Sequence, residues 1–182
     1  MSKNSPQVSS NYILLDCNFL VAWTSKKTSK DDRLKMDHLL DSAGKNKQKL
    51  VIPTPVIAEY LVKADAAGLE WLDTLEKKAS IIVVPFDRIA AFECAQIDRA
   101  ALGAGDKKDG VDASWQKIKI DRQIVAIGKA VGCKTLITSD LDLKKAALRS
   151  GISVLSIQDL EFPHSAMQGN LDLKKPKQRK KT

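Results

Sequence analysis

Few aromatic residues stand in this chain: Phe, Trp and Tyr make up 5% of it, against an apolar fraction of 43%. The core is therefore expected to be aliphatic, built from Ile, Leu, Val and Ala, which suits an α/β protein. Cysteine is scarce. Cys17, Cys94 and Cys133 form no CxxC pair, and each is flanked by an apolar helix or strand pattern, so buried thiols are expected. With only His38 and His164 beside them, the spacing of a zinc site is missing. No apolar run approaches the roughly 20 residues of a membrane span. The opening segment, MSKNSPQVSS, is polar and has no apolar signal stretch. The expectation is a protein with no membrane association, cytoplasmic, or nuclear if the source is eukaryotic. GAGDKKDG in the middle of the chain is neither a GxGxxG fingerprint nor a Walker loop, which ends in GK[ST].

What is present is 182 residues, enough for one domain that needs no disulfide. The formal charge of +8 is uneven. Lys174, Lys175, Lys177, Arg179, Lys180 and Lys181 crowd the last nine residues, and without those six the 30 basic residues fall to 24 against 22 acidic. The body is nearly neutral, and residues 164–182 form a basic tail. The tail is expected to be disordered, as are residues 1–10. Such a tail also offers non-specific attraction to phosphate backbones.

Between those ends, residues 11–163, short apolar runs alternate with helical periodicity. Strands are expected at Tyr12–Leu15, Leu50–Ile52, Ser80–Val84, Thr135–Thr138 and Ile152–Leu155. Helices are expected over Cys17–Thr24, around Leu34–Leu40, from Thr54-Pro55 through Val62, and over Leu69–Lys78, Ile89–Leu102, Trp115–Val131 and Asp142–Arg149. Thr54 reads as the cap of the third of these, with Pro55 in its first turn. A charged stretch, Lys26–Asp32, precedes the second helix, and Gly103–Ala113 is the longest loop. Almost wholly apolar strands alternating with helices indicate a central, mostly parallel sheet covered on both faces, a three-layer α/β/α architecture.

In open α/β sheets, ligands bind beyond the carboxyl ends of the strands. ILLD puts Asp16 at one such end, and LITSDLD puts Asp140 and Asp142 just beyond another. Carboxylates gathered without a basic partner repel one another, and a divalent cation relieves them. Magnesium and manganese take oxygen ligands of this kind, polarise a phosphodiester and acidify a bound water. Helix capping by Asp140 or Ser139 is the plainer alternative there. Glu59 in VIAEYLV and Asp121 in IKIDRQIVAI are acids among apolar neighbours, where an isolated helix acid is more often solvated.

At these positions the chain resembles the PIN domain family. Asp16 and Asn18 in ILLDCNFL match its strand-end Asp with a polar residue two places on. Glu59 in IPTPVIAEYL matches its helical Glu, and Asp121 in DRQIVAIGKAVGCKTLIT its third acid. Thr138-Ser139-Asp140-Leu141-Asp142 matches its T-x-D-x-D/N segment, and the likeness spans roughly residues 11 to 160. The resemblance implies a metal-dependent endoribonuclease using Mg²⁺ or Mn²⁺. Asp16, Glu59, Asp121 and Asp140 would form the acidic site with Asp142 accessory, and Asn18, Thr138 and Ser139 would orient ligands or water. Lys117, Lys119 and Arg122 are candidates for holding the RNA backbone. The resemblance also implies RNA as substrate, a homodimer, and either a VapC-like toxin with an antitoxin protein or a housekeeping RNA-processing nuclease. The loop at Gly103–Ala113 makes the chain longer than compact toxin members. Two other classes are a non-catalytic RNA- or protein-binding module, and a haloacid-dehalogenase-type phosphatase. The second of these wants Asp where Asn18 stands.

Overall fold

The computed structural model describes residues 11–163. The expected disorder of residues 1–10 and of the basic tail lies outside the described residues. Five strands form one sheet: β1 (Tyr12–Leu15), β2 (Lys49–Pro53), β3 (Ile81–Val84), β4 (Thr135–Ile137) and β5 (Ser153–Leu155). Seven helices lie among the described residues: α1 (Cys17–Thr24), α2 (Lys30–Lys45), α3 (Thr54–Leu61), α4 (Ala66–Glu76), α5 (Arg88–Gly103), α6 (Trp115–Ala130) and α7 (Leu141–Arg149). A single 3-10 turn, Ile157–Asp159, follows β5. Every strand pairing is parallel and the order is β3-β2-β1-β4-β5. The fold is the expected α/β/α sandwich.

Strand sequences are continuously apolar because both faces of the sheet are covered. Leu14, Leu15, Leu50, Val51, Ile52 and Leu136 are fully buried, each worth about 1.5–3 kcal/mol relative to exposure. Helix α6 approaches β1 closely enough that a Cβ on Gly128 would lie 2.7 Å from Leu14 Cδ2. Four of the nine aromatics gather between α1, α3 and α4. Phe19 meets Trp23 at 5.4 Å between ring centroids, Trp23 meets Trp71 at 5.6 Å, and Tyr60 meets Trp71 at 5.9 Å.

Some element boundaries differ from expectation. Thr54 is not a cap: Pro53 is, with extended backbone and no side-chain cap bond, so β2 runs directly into α3. Proline supplies the required φ but has no side-chain acceptor to offer. Helix α2 takes in Lys30–Asp32. Ser29 Oγ accepts from the Asp32 amide at 3.0 Å, and Asp31 and Asp32 suit the positive end of the helix dipole. Helix α4 likewise starts early, at Ala66, because Asp65 caps it through the Gly68 amide at 2.8 Å. Cys17 and Cys133 are buried, whereas Cys94 is only half-buried.

The chain enters the sheet at its middle strand, fills one side through β2 and β3, then crosses to β4 and β5 on the other. The strand order therefore reverses between β1 and β4. In doubly wound sheets, that reversal opens the crevice where ligands bind, and Asp16 and Thr138 stand at the two strand ends beside it.

Candidate functional site

Asp16 caps α1 from the end of β1 and is 4% exposed. Its Oδ1 accepts from the Cys17 amide at 2.6 Å, and its Oδ2 accepts from the Thr138 hydroxyl at 2.7 Å. The Thr138 oxygen in turn accepts from the Asp140 amide at 2.9 Å. One buried hydroxyl thus links the carboxyl end of β1 to the segment after β4.

Asp140 divides its two oxygens between two tasks. Oδ1 caps α7, accepting from the amides of Asp142 at 2.8 Å and Leu143 at 3.1 Å. Oδ2 faces away from that helix and lies 2.9 Å from Lys117 Nζ. Capping and site-building are compatible here because a carboxylate has two oxygens to give. Lys117, one turn before Asp121 on α6, also lies 2.9 Å from Asp121 Oδ2. Carboxylates from α6 and α7 therefore converge on one cationic atom.

The electrostatics follow from this crowding. Burial pushes Asp16 above the ordinary carboxylate value, and the Asp140 charge adds to that, against the lowering by Thr138 and the Cys17 amide. Burial likewise pushes Asp121 up to about 6, although the Lys117 hydrogen bond and charge oppose it. Glu59 is raised by partial desolvation and by Asp16. Burial also pushes Asp140 upward, but its hydrogen bonds from Lys117 and the Leu143 and Asp142 amides prevail and hold it below the usual range. Four acids thus feel one another's charge.

The remaining sequence-selected residues fall outside that core. Glu59 is exposed on α3, at the rim, and does not face inward as its apolar neighbours suggested. Asn18 and Ser139 are exposed. Asp142 turns towards Lys145, 3.5 Å away, and lines a small recess with Asp121, Arg122 and Arg149. Lys119 is exposed on α6. Arg122 has a side chain only 3% exposed and is committed elsewhere: Nη1 pairs with Asp98 at 2.6 Å, and Nη2 donates to the Lys107 carbonyl at 2.8 Å. It ties the 103–113 loop to α5 and α6 and presents no free surface to a backbone phosphate. Asp109 of that loop also pairs with Arg149 at 3.4 Å.

Two residues gain parts that the sequence reading did not give them. Lys117 sits inside the acid cluster instead of on a solvated face. Its spacing of four from Asp121 was visible, but the approach of Asp140 from another helix was not. Lys63 acts electrostatically on Glu59, and the Glu59–Lys63 spacing of four was the available signal. Cys17, at the foot of the site, is buried, and burial with Glu59 and Asp16 nearby pushes its thiol up to about 12, which disfavours the thiolate.

Among the described residues, no three Asp, Glu, His or Cys side chains form a ready ligand cluster. The donor chemistry is nevertheless that of a hard cation: two carboxylate oxygens share one positive charge, with a third buried carboxylate, Asp16, close enough to raise Asp121.

Comparisons with known proteins bear on the fold and the family. No curated protein matches the sequence. Among solved structures, VapBC2 from Rickettsia felis bound to a DNA fragment from their promoter superposes with a TM-score of 0.54. It is 16% identical, over 80% of this chain and 98% of that one. DNA-bound VapBC from Salmonella typhimurium gives a TM-score of 0.53 at 16% identity, with the same coverage of 80% and 98%. At that identity the likeness is one of fold. The PIN domain profile matches residues 13–149, from the first strand through the last of these acids, and the chain belongs to the PIN domain family.

Proposed function

We propose that the protein is a divalent-metal-dependent endoribonuclease whose site is formed by Asp16, Asp121 and Asp140, with Glu59 at its rim. The observation that carries this reading is the convergence of Asp121 Oδ2 and Asp140 Oδ2 on one cationic position, 2.9 Å from each, at the strand-order reversal. Mg²⁺ or Mn²⁺ bound there would polarise a phosphodiester and lower the pKa of the attacking water. Asp140 would give Oδ2 to the ion while Oδ1 stays on the α7 amides, so its carboxylate is oriented before any ligand arrives. Asp121, pushed up to about 6, is mostly ionised at neutral pH and needs little further persuasion from a dication. Asp16 is held in place by Thr138 and the Cys17 amide. Glu59, exposed and more basic than an ordinary glutamate, would take the proton from water. Lys63, exposed and acting on Glu59, would meet the substrate backbone, whereas Lys119, two residues from Asp121 on α6, points to the other side of that helix.

RNA as the substrate, and a VapC-like toxin held by an antitoxin protein, are supported by the family and by the fold shared with the two VapBC complexes. A homodimer is the assembly we infer on the same grounds. Asp142 serves as an accessory acid through the recess it shares with Asp121. The test is cleavage of an end-labelled RNA pool and a sequence-matched DNA pool with Mn²⁺, Mg²⁺ or EDTA. Metal-dependent cutting confined to RNA supports the reading, and cutting that persists in EDTA contradicts it. A growth defect on expression, relieved by an adjacent small gene product, supports the toxin; a healthy culture favours RNA processing.

A further inference from the structure

Lys117 is placed unusually for a lysine of a nearly neutral domain, in the first turn of a helix that is half buried. Its Nζ bridges carboxylates from two different elements, 2.9 Å from Asp121 Oδ2 on α6 and 2.9 Å from Oδ2 of Asp140, the cap of α7. The side chains are 38%, 12% and 25% exposed respectively, so the pair of acids is largely shielded while the lysine stem reaches solvent. Without a positive charge at this point the acids of α6 and α7 would repel each other and Asp16 in a poorly solvated corner. The ammonium answers that need with hydrogen bonds to both.

A divalent cation would need the same two oxygens. Its bonds to oxygen are about 2.1–2.6 Å long, depending on the ion, so it would settle within the space that Nζ fills. Two cations cannot share it. We propose that Lys117 is the resident counter-ion of the site: its ammonium holds the Asp121–Asp140 position and is displaced outward when a divalent cation enters. This rests on reading the acids as a metal site. The exchange requires no backbone movement, because a lysine has a flexible four-carbon stem and this one opens to solvent. Once displaced, the ammonium stands at the rim of the site, one helical turn from Asp121, where a substrate phosphate would meet it. Metal entry therefore converts Lys117 from an internal ion-pair partner into a phosphate contact.

The test is Mn²⁺ binding to the full chain, followed by the loss of the free-ion electron paramagnetic resonance signal. Wild type, Lys117→Met and Lys117→Arg are compared, with Asp140→Asn as the control for site loss. Lys117→Met is expected to bind Mn²⁺ about tenfold or more tightly than wild type, because a competing unit charge a few ångströms from the dication is gone. Lys117→Arg, which keeps the charge, is expected to stay near wild type. Equal or weaker binding by Lys117→Met, with Asp140→Asn still impaired, overturns the counter-ion role and leaves the metal site standing. No binding by wild type or Lys117→Met removes the metal site itself. A second measurement needs no substitution. Acetic anhydride labelling of wild type, read by mass spectrometry, should modify Lys117 more in saturating Mn²⁺ than in EDTA, with Lys119 as the internal reference. Labelling of Lys117 that is unchanged or reduced by Mn²⁺ overturns the displacement.

Discussion

The Thr138 hydroxyl donates to Asp16 Oδ2 at 2.7 Å across 122 positions of sequence, and accepts from the Asp140 amide at 2.9 Å. Two acids that approach from different strand ends are therefore set in relation by a single oxygen. No other side chain hydrogen-bonds Asp16 among the described residues, and the remaining support comes from the backbone.

Thr138→Val keeps the shape of this residue and removes the hydroxyl. It should lower stability by about 1–3 kcal/mol, the range for a buried hydrogen bond to a potentially charged group. Asp16, having lost a donor that favours its ionised form, should titrate higher, so the acid limb of the pH–rate profile moves to higher pH. Chemical denaturation and a pH profile beside wild type check both parts; an unmoved acid limb would remove Thr138 from the site.

Asp140 separates charge from capping. In Asp140→Asn the side-chain oxygen still accepts from Asp142 and Leu143, so stability should change little while cleavage is lost. Asp140→Ala loses the cap as well and should be less stable than the Asn variant by about 1 kcal/mol. Urea midpoints of the two variants measure the difference.

Much of this was legible in the sequence because a parallel sheet writes itself as apolar runs. Leu14, Val51 and Leu136 are covered on both faces of the sheet, so their strands read as short unbroken apolar runs. Order and spacing also disclosed Asp16, Asp121 and Asp140. Less legible was direction. Asp121 and Arg122 are neighbours in sequence but point about 100° apart around α6, one into the acid cluster and the other under the 103–113 loop. Asp140 and Asp142 are separated by a helix start, so one turns to Lys117 and the other to Lys145. Lys117 could not be placed from α6 alone, since its second partner belongs to α7. Glu59 sits among apolar residues in sequence yet on the open side of its helix, because Val56 and Tyr60 supply the buried face of α3.

Without metal, the protein should lose stability as pH rises from about 4 to about 7. Asp121 is raised in the folded state to about 6 from an ordinary 3.8, so its protonated form favours folding. That contribution is complete below about 4 and disappears as pH passes the folded value. Asp16 and Glu59 are raised and act in the same sense. The loss is on the order of 1–3 kcal/mol. Below about 4 the lowered Asp106, Asp140 and Asp159 turn the trend round, as their stabilising ionised forms are protonated. Thermal midpoints in EDTA across pH 4 to 7 test the sign, and a steady rise over that interval contradicts it.

Arg122→Met should destabilise the protein by about 2–3 kcal/mol, less than a fully buried pair would, since Asp98 and Asp109 reach solvent. Its effect on RNA affinity, corrected for folding, should be negligible, whereas Lys63→Ala, at an exposed side chain that acts on Glu59, should weaken RNA binding with little change in stability. Filter binding and thermal midpoints on both variants separate the structural arginine from the surface lysine.

Gly128→Ala should cost about 1–3 kcal/mol, despite the better helix propensity of alanine, because the new Cβ meets Leu14 Cδ2 at 2.7 Å and Leu14 is fully buried. Urea denaturation measures it, and a stabilised variant would contradict the close approach of α6 to β1.

The most direct test of the acidic site is cleavage of one end-labelled RNA pool in Mn²⁺ by wild type, Asp16→Asn and Asp140→Asn, purified identically and matched in folded fraction. Wild type should cut, EDTA should stop it, and both variants should be inactive while their circular dichroism stays that of the wild type. Equal, metal-dependent cutting by all three would contradict the assignment of Asp16 and Asp140 to catalysis.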